Sequence, residues 1–245
     1  MKAYGITHRG AVRKENQDAL RYTSPTEERD VLAAVLCDGM GGAQAGGLAS
    51  TLAADGFMSH AANALDETSG MDDMKAILTE AVHYANQRVY AHAFENLKCM
   101  GMGSTLVALL ISGKRAVVAN VGDSRAYLLA KNRVMQLTCD HSLMEDMVAR
   151  GKLTREEART HPKRNIITRA VGVEASVKAD LTEVKFPPGS RILLCSDGLT
   201  NLVPDSALER VLCTEEDPER ACNILLEQAL QGGAPDNVTV FIAQH

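Results

Sequence analysis

Five aspartates in this chain stand beside strand-like apolar runs: Asp38 after VLAAVLC, Asp123 after AVVANVG, Asp197 after RILLCS, Asp236 just ahead of NVTVFI, and Asp18 opening DALRYT. Carboxylates are costly at the tips of buried strands, and acids gathered at one edge of a core repel unless a cation holds them. The pattern predicts an oxygen-ligand metal site assembled from distant parts of the chain. No His lies in these segments, and Cys37 and Cys195 read as small buried thiols inside the apolar runs; hard oxygen donors suit Mg2+ or Mn2+, whereas Zn2+ recruits nitrogen or sulfur. Two such ions about 3.5–4 Å apart can share a carboxylate and hold a water whose lowered pKa supplies hydroxide near neutral pH. That chemistry needs no protein nucleophile, and a phosphate ester is the substrate that an anion-seeking pocket suits. Arg13, just ahead of Gln17 and Asp18, supplies a fork for two phosphate oxygens. Taken alone it reads as a solvated arginine beside Lys14 and Glu15.

Each motif also has a plain structural reading. A single Asp-Gly pair, such as Asp38-Gly39 or Asp197-Gly198, is ordinarily a turn, because Gly accepts positive φ and Asp bonds its own backbone. It is the repetition of the placement that points to a site. The stretch DGMGGAQAGG fails the dinucleotide fingerprint, since the last glycine would fall on Gln44, and no GK[ST] follows for a phosphate loop. Its glycines read as a tight turn with close helix packing. Ser124 and Ser196 lack a GxSxG context and an adjacent histidine base. The seven histidines show no metal-ligand spacing and read mostly as helix-face or surface residues; His141 and His161 bracket a charged segment and are the two worth testing.

Strands are expected at 2–7, 18–23, 31–37, 104–111, 115–121, 125–130, 179–186, 190–196 and 237–243. Helices are expected at about 44–64, with Leu48, Leu52, Ala53 and Phe57 on one face, at 72–96, and near 205–213 and 218–231. Strands grouped around paired helices imply an α+β fold with largely antiparallel sheets, because parallel sheets need a crossover after each strand. Residues 140–172 are charged and broken by Gly151 and Pro162, and read as a helical flap over a site. With 245 residues, 45% of them hydrophobic, the chain can bury one large core, and we expect a single domain over 1–245. No apolar run is long enough for a membrane span, and the start lacks a secretory centre, which predicts a soluble cytoplasmic protein. A net charge of -5 without a basic run argues against nucleic acid. The six cysteines are scattered and read as reduced structural thiols.

Taken in order, R-x-x-N-Q-D (Arg13 to Asp18), DGMGG, GMGSTL, VGDSRAY, DHSL, HPKRNIITRAVG, CSDGLTNLV and APDNVTV span nearly the whole chain. The set resembles the metal-dependent, type 2C (PPM) serine/threonine protein phosphatases in their compact bacterial form. The resemblance implies a four-layer αββα sandwich of two mainly antiparallel β-sheets flanked by helix pairs, with a metal centre at one sheet edge. It further implies that Asp38 bridges two Mn2+ or Mg2+ ions together with the Gly39 carbonyl, and that Asp197 and Asp236 complete the first site. Asp18 would orient metal-bound waters, Arg13 would hold the substrate phosphate, and Asp123 with Asp197 would form a weaker third site. A bridging water would then attack phosphorus in line, releasing phosphate without a phosphoenzyme. Two departures leave the general acid unassigned: Met40 and Ala43 stand where relatives place histidines. The implied partners are phosphorylated proteins, including a cognate Ser/Thr kinase and its substrates, met by a monomer. A catalytically silent phosphoprotein-binding module on the same fold is the alternative, but its signature would be lost carboxylates, and all five are retained.

Overall fold

The structure is a computed structural model describing residues 1–24, 30–42 and 45–245. Ala43 and Gln44, both weighed above, lie outside the described residues. The chain runs β1 (Lys2–His8), β2 (Asp18–Tyr22), β3 (Val31–Met40), α1 (Ala45–Ala64), α2 (Met71–Glu95), β4 (Gly103–Ser104), β5 (Leu106–Ser112), β6 (Arg115–Val121) and β7 (Arg125–Ala130). It continues through β8 (Arg133–Gln136), α3 (Leu143–Ala149), α4 (Arg155–Thr160), β9 (Asp180–Lys185), β10 (Arg191–Cys195), α5 (Asp197–Thr200), α6 (Asp205–Thr214), α7 (Pro218–Gln231) and β11 (Val238–Gln244).

Two antiparallel sheets form, one ordered β1-β11-β10-β7-β8 and the other β2-β3-β5-β6-β9, with β4 added to β3. Strand β3 shows why its sequence is apolar throughout. Ala33, Val35 and Cys37 face a core shared with α1 and α2, while Leu32, Ala34 and Leu36 face the core between the sheets. Period-two alternation here separates two buried faces instead of a buried and a wet one. On the far side, β10 and β11 pack Leu193, Val240 and Ile242 against Leu208, Leu212, Leu225 and Leu226 of α6 and α7. The layers are therefore helix pair, sheet, sheet, helix pair, as the resemblance implied.

The expected face of α1 does meet the core, with Ala53 and Phe57 fully buried and the two leucines at its margin. Leu48 and Leu52 are only partly buried, and the fully covered residues are small: Ala49, Ala53, Ala54 and Ala61, with Phe57 among them. A Cβ on Gly56 would lie 3.2 Å from the Ala85 Cα, so small residues let α1 approach α2 closely. Strand β8 was not anticipated. It follows a two-residue turn in which Lys131 and Asn132 adopt φ of 52° and 58°, the paired left-handed geometry whose twist matches antiparallel strands. Residues 140–172 do hold two short helices, α3 capped by Ser142 and α4 by a Thr154–Glu157 capping box. Antiparallel bridges Ser142–Ile167 and Ser104–Val171 secure the segment. All six cysteines are free, and among the described residues no helix is long and apolar enough to cross a membrane.

Candidate metal centre

Asp38 lies inside β3, not beyond its end, because the strand keeps pairing through it: Asp18 opposite Asp38 on one side, Gly39 opposite Ser104 on the other. Its backbone is saturated by Thr105, whose Oγ1 accepts from the Asp38 N–H at 2.9 Å and whose N–H donates to the Asp38 carbonyl at 2.8 Å. Neither Gly39 nor Gly198 takes a left-handed conformation, so the two Asp-Gly pairs are not the turns they suggest. Gly39 serves close approach instead: a Cβ there would sit 1.9 Å from the Gly46 carbonyl oxygen. Asp197 opens the short helix α5, and Asp123 occupies the turn between β6 and β7.

These residues meet. Asp38, Gly39, Asp123, Asp197 and Asp236 line one cleft of about 560 Å³ together with Arg13, Gln17, Met40, Asn165 and Ile167. Asp18 sits behind it, 8% exposed. Its Oδ2 accepts from Ser196 Oγ at 2.9 Å and Thr239 Oγ1 at 2.6 Å. The Thr239 hydroxyl has one proton, so the 2.7 Å contact with Thr7 Oγ1 must be donated by Thr7, which accepts in turn from Asn16. A line of donors thus ends on Asp18. Asn237 performs a parallel task for the loop before β2. Its Oδ1 accepts from the Gln17 N–H, and its Nδ2 donates to the carbonyls of Arg9 and Glu15. Arg13 bonds Asp236 at 2.8 Å with a side chain half exposed.

In the cleft the acids are crowded together, and the cation bonded to one of them, Arg13 on Asp236, lies at its edge. Burial, then repulsion from Asp18, Asp197, Asp123 and Asp236, pushes the Asp38 carboxyl well above its ordinary range. Burial raises Asp18 to about 7 against the pull of the Thr239 and Ser196 hydroxyls, and burial with Asp197 and Asp140 nearby raises Asp123 to about 7. Asp197 is raised by burial and by Asp236, and comes close enough to Asp38 for the two carboxyl groups to hydrogen-bond. Asp18 Oδ1 and Asp197 Oδ1 are buried with no hydrogen-bond partner. Buried polar atoms are normally satisfied, so these orphans fit a ligand of opposite charge. Among the described residues no three His, Cys, Asp or Glu side chains form a ready-made cage for a cation. The donor set is an open, carboxylate-lined wall, which suits Mg2+ or Mn2+ because such ions keep several waters.

Several neighbours of the acids lie inside the motifs quoted above but were not singled out as site residues. Ser196, Thr239, Thr105, Asn165 and Ile167 are ordinary residue types whose roles come from long-range contacts. Ser196 and Asn237 carry a local cue, since they adjoin Asp197 and Asp236. Ser124 and Ser196 are fully buried and hydrogen-bonded, Ser124 to Thr105 and Ser196 to Asp18, which agrees with their exclusion as nucleophiles. His141, by contrast, is not a surface residue but 8% exposed. No histidine lines the cleft among the described residues.

An αββα sandwich with a carboxylate-lined cleft at the sheet edge is the architecture of a metal-dependent phosphatase. The sequence profile of Protein phosphatase 2C matches residues 7–231. The serine/threonine phosphatase stp of Listeria welshimeri is 34% identical over 247 aligned residues, covering 100% of this chain and 96% of its own. The crystal structure of the Mycobacterium tuberculosis serine/threonine phosphatase PstP/Ppp superposes with a TM-score of 0.89 at 36% identity, covering 100% of this chain and 99% of that one. The catalytic domain of PstP in complex with 2 manganese ions matches with a TM-score of 0.84 at 36% identity, covering 99% and 97%. The chain belongs to the Protein phosphatase 2C family; it is a protein phosphatase.

Proposed function

We propose that this chain removes phosphate from phosphoserine and phosphothreonine in proteins, using two Mn2+ or Mg2+ ions, and that it acts as one catalytic domain in the cytoplasm. The observation that carries this reading is the convergence of Asp38, Asp123, Asp197 and Asp236 in one cleft, with the clamped Asp18 behind them. Relatives named serine/threonine phosphatase, and a relative solved with 2 manganese ions, support the substrate class and the metal.

Asp38, Gly39, Asp197 and Asp236 would hold the two core ions, with Asp18 supporting them from behind and Asp123 and Asp197 offered to a third. When bound, such ions neutralise phosphoryl charge and lower the pKa of water enough for it to act as a nucleophile near neutral pH. The protein's own residues supply binding and order. Arg13 presents its free guanidinium edge to a phosphoryl group, since one Nη is already fixed by Asp236. Ser196 and Thr239 hold Asp18 in one orientation. Ser124 and Ser196 are buried and bonded, so neither is offered as a nucleophile, in keeping with a mechanism that has no phosphoenzyme. A second groove, lined by α3, α4 and the start of α6, shares Asp123, Asn165 and Asp197 with the cleft and is where the polypeptide around the phosphoresidue would lie. Phosphorylated proteins, among them a cognate kinase and its targets, are the partners this reading implies.

The test is phosphate release from a phosphothreonine peptide after chelation, with and without Mn2+, for wild type, Asp38→Ala and Asp197→Ala. Release that needs Mn2+ and is abolished in both variants supports the reading. Equal release in all samples rejects the metal role, and no release under any condition favours a binding module.

A further inference from the structure

His141 stands at one root of the 140–172 segment and takes no part in the cleft lining. Both of its ring nitrogens are nevertheless used. Nδ1 accepts a hydrogen bond from the Gly122 N–H at 3.0 Å. An accepting Nδ1 bears no proton, so the ring is the Nε2–H tautomer and donates from Nε2 to Asp180 Oδ2 at 3.1 Å. The backbone reinforces the grip, since the His141 N–H donates to the Gly122 carbonyl at 2.9 Å. His141 thus holds both polar groups of the residue immediately before Asp123. Gly122 itself has φ +105°, and a Cβ there would lie 2.7 Å from Thr105 Cγ2, so this turn has little freedom.

The other side of the ring reaches the far end of the same segment. Asp180 also accepts from Arg169 Nη1 at 2.8 Å, and the His141 carbonyl accepts from the Thr168 N–H at 2.8 Å. The imidazole thus joins the Asp123 turn to the start of β9, while the His141 carbonyl and Asp180 connect these to the far root of the segment. A histidine retained only to fill space would not need two directed bonds of opposite sense.

We propose that His141 is a positioning residue for Asp123: through the Nδ1 bond to Gly122 it sets the orientation in which the Asp123 carboxylate is presented to a divalent cation. The inference rests on the reading of Asp123 as a cation ligand. Groups that orient a metal ligand from behind are worth 10–100-fold in affinity when removed, and two residues acting on one ligand are non-additive.

The experiment is Mn2+ titration calorimetry on the full chain for wild type, Asp123→Asn, His141→Ala, His141→Asn, His141→Gln and the Asp123→Asn/His141→Ala double variant, with a melting midpoint for each. Asp123→Asn should remove a binding step. His141→Ala should weaken that same step by about tenfold and add nothing in the Asp123→Asn background. His141→Asn, whose Oδ1 can replace Nδ1 as acceptor, should stay close to wild type, whereas His141→Gln should not. A wild-type isotherm for His141→Ala, equal weakening by Asn and Gln, or an undiminished effect in the double variant would overturn the proposal. If Asp123→Asn leaves the isotherm unchanged, the ligand reading itself falls and the role of His141 with it. Should the alanine variant not fold, the Asn and Gln comparison decides.

Discussion

Asp18 and Asp38 are directly opposed residues on the adjacent antiparallel strands β2 and β3. Like charges at such a position are destabilising even on a wet sheet face, and here Asp18 is buried while Asp38 is half-buried in the cleft wall. The sheet tolerates the pair only if protons or cations neutralise it, so stability and metal binding are linked through the same side chains.

That linkage has a definite sign. Burial lifts Asp18 and Asp123 from the ordinary 3.8 to about 7. The folded chain then binds more protons than the unfolded chain between roughly pH 4 and pH 7, and its stability falls as pH rises through that window. After chelation, the melting midpoint should be lower at pH 8 than at pH 5.5. A loss of about 2 kcal/mol for each of the two acids corresponds to roughly 4–8 °C per acid for a chain of this size. Mn2+ should restore more at pH 8, where the acids are ionised, than at pH 5.5. Melting curves with EDTA or Mn2+ at the two pH values measure this, and a Mn2+ increment that is larger at pH 5.5 would contradict it.

Thr239 and Ser196 keep Asp18 in place, and Thr239→Val removes a donor while keeping the side-chain shape. Each hydrogen bond to a carboxylate is worth about 1.5–3 kcal/mol. We expect Thr239→Val and Ser196→Ala to raise the Mn2+ concentration needed for half-maximal phosphatase activity by about tenfold or more, with a smaller change at saturating Mn2+. An activation curve that overlays wild type would show that Asp18 needs no clamp.

Arg13 is half exposed and its ion pair with Asp236 lies at the cleft edge, so it contributes about 0–1 kcal/mol to stability. Its proposed role lies in the fork it offers a phosphoryl group. Arg13→Ala should raise KM for a phosphothreonine peptide by about tenfold, matching about 1.4 kcal/mol of lost phosphate contact. Arg13→Lys should recover only part of this, because an ammonium is a point charge without paired donors. Steady-state kinetics of the two variants decide the matter, and an unchanged KM in Arg13→Ala would remove Arg13 from substrate binding.

Much of the architecture is legible without coordinates. Apolar runs such as 31–37, 104–111 and 190–196 appear as β3, β5 and β10 with ends displaced by at most a few residues, because a strand buried on both faces needs unbroken apolar character. Strand β8 escaped because RVMQ is short and mostly exposed, and its signal is the turn geometry of Asn132 more than any hydrophobic pattern. On α1 the expected face meets the core, but Leu48 and Leu52 sit at its margin while alanines fill its centre, because contact with α2 favours the smaller residue.

The expectation of a hard cation rests on residue types, since five aspartates stand beside strands and no histidine lies in those segments. What had to await the folded chain is how each acid is held. Asp18 is fixed by hydroxyls 178 and 221 residues away in sequence, and His141 proves to be a buried clamp on the Asp123 turn, not a surface histidine. Hydrophobic periodicity reports only on near neighbours along the backbone. Hydrogen bonds between remote segments depend on strand order and register, and those arise when the two sheets and their helices pack.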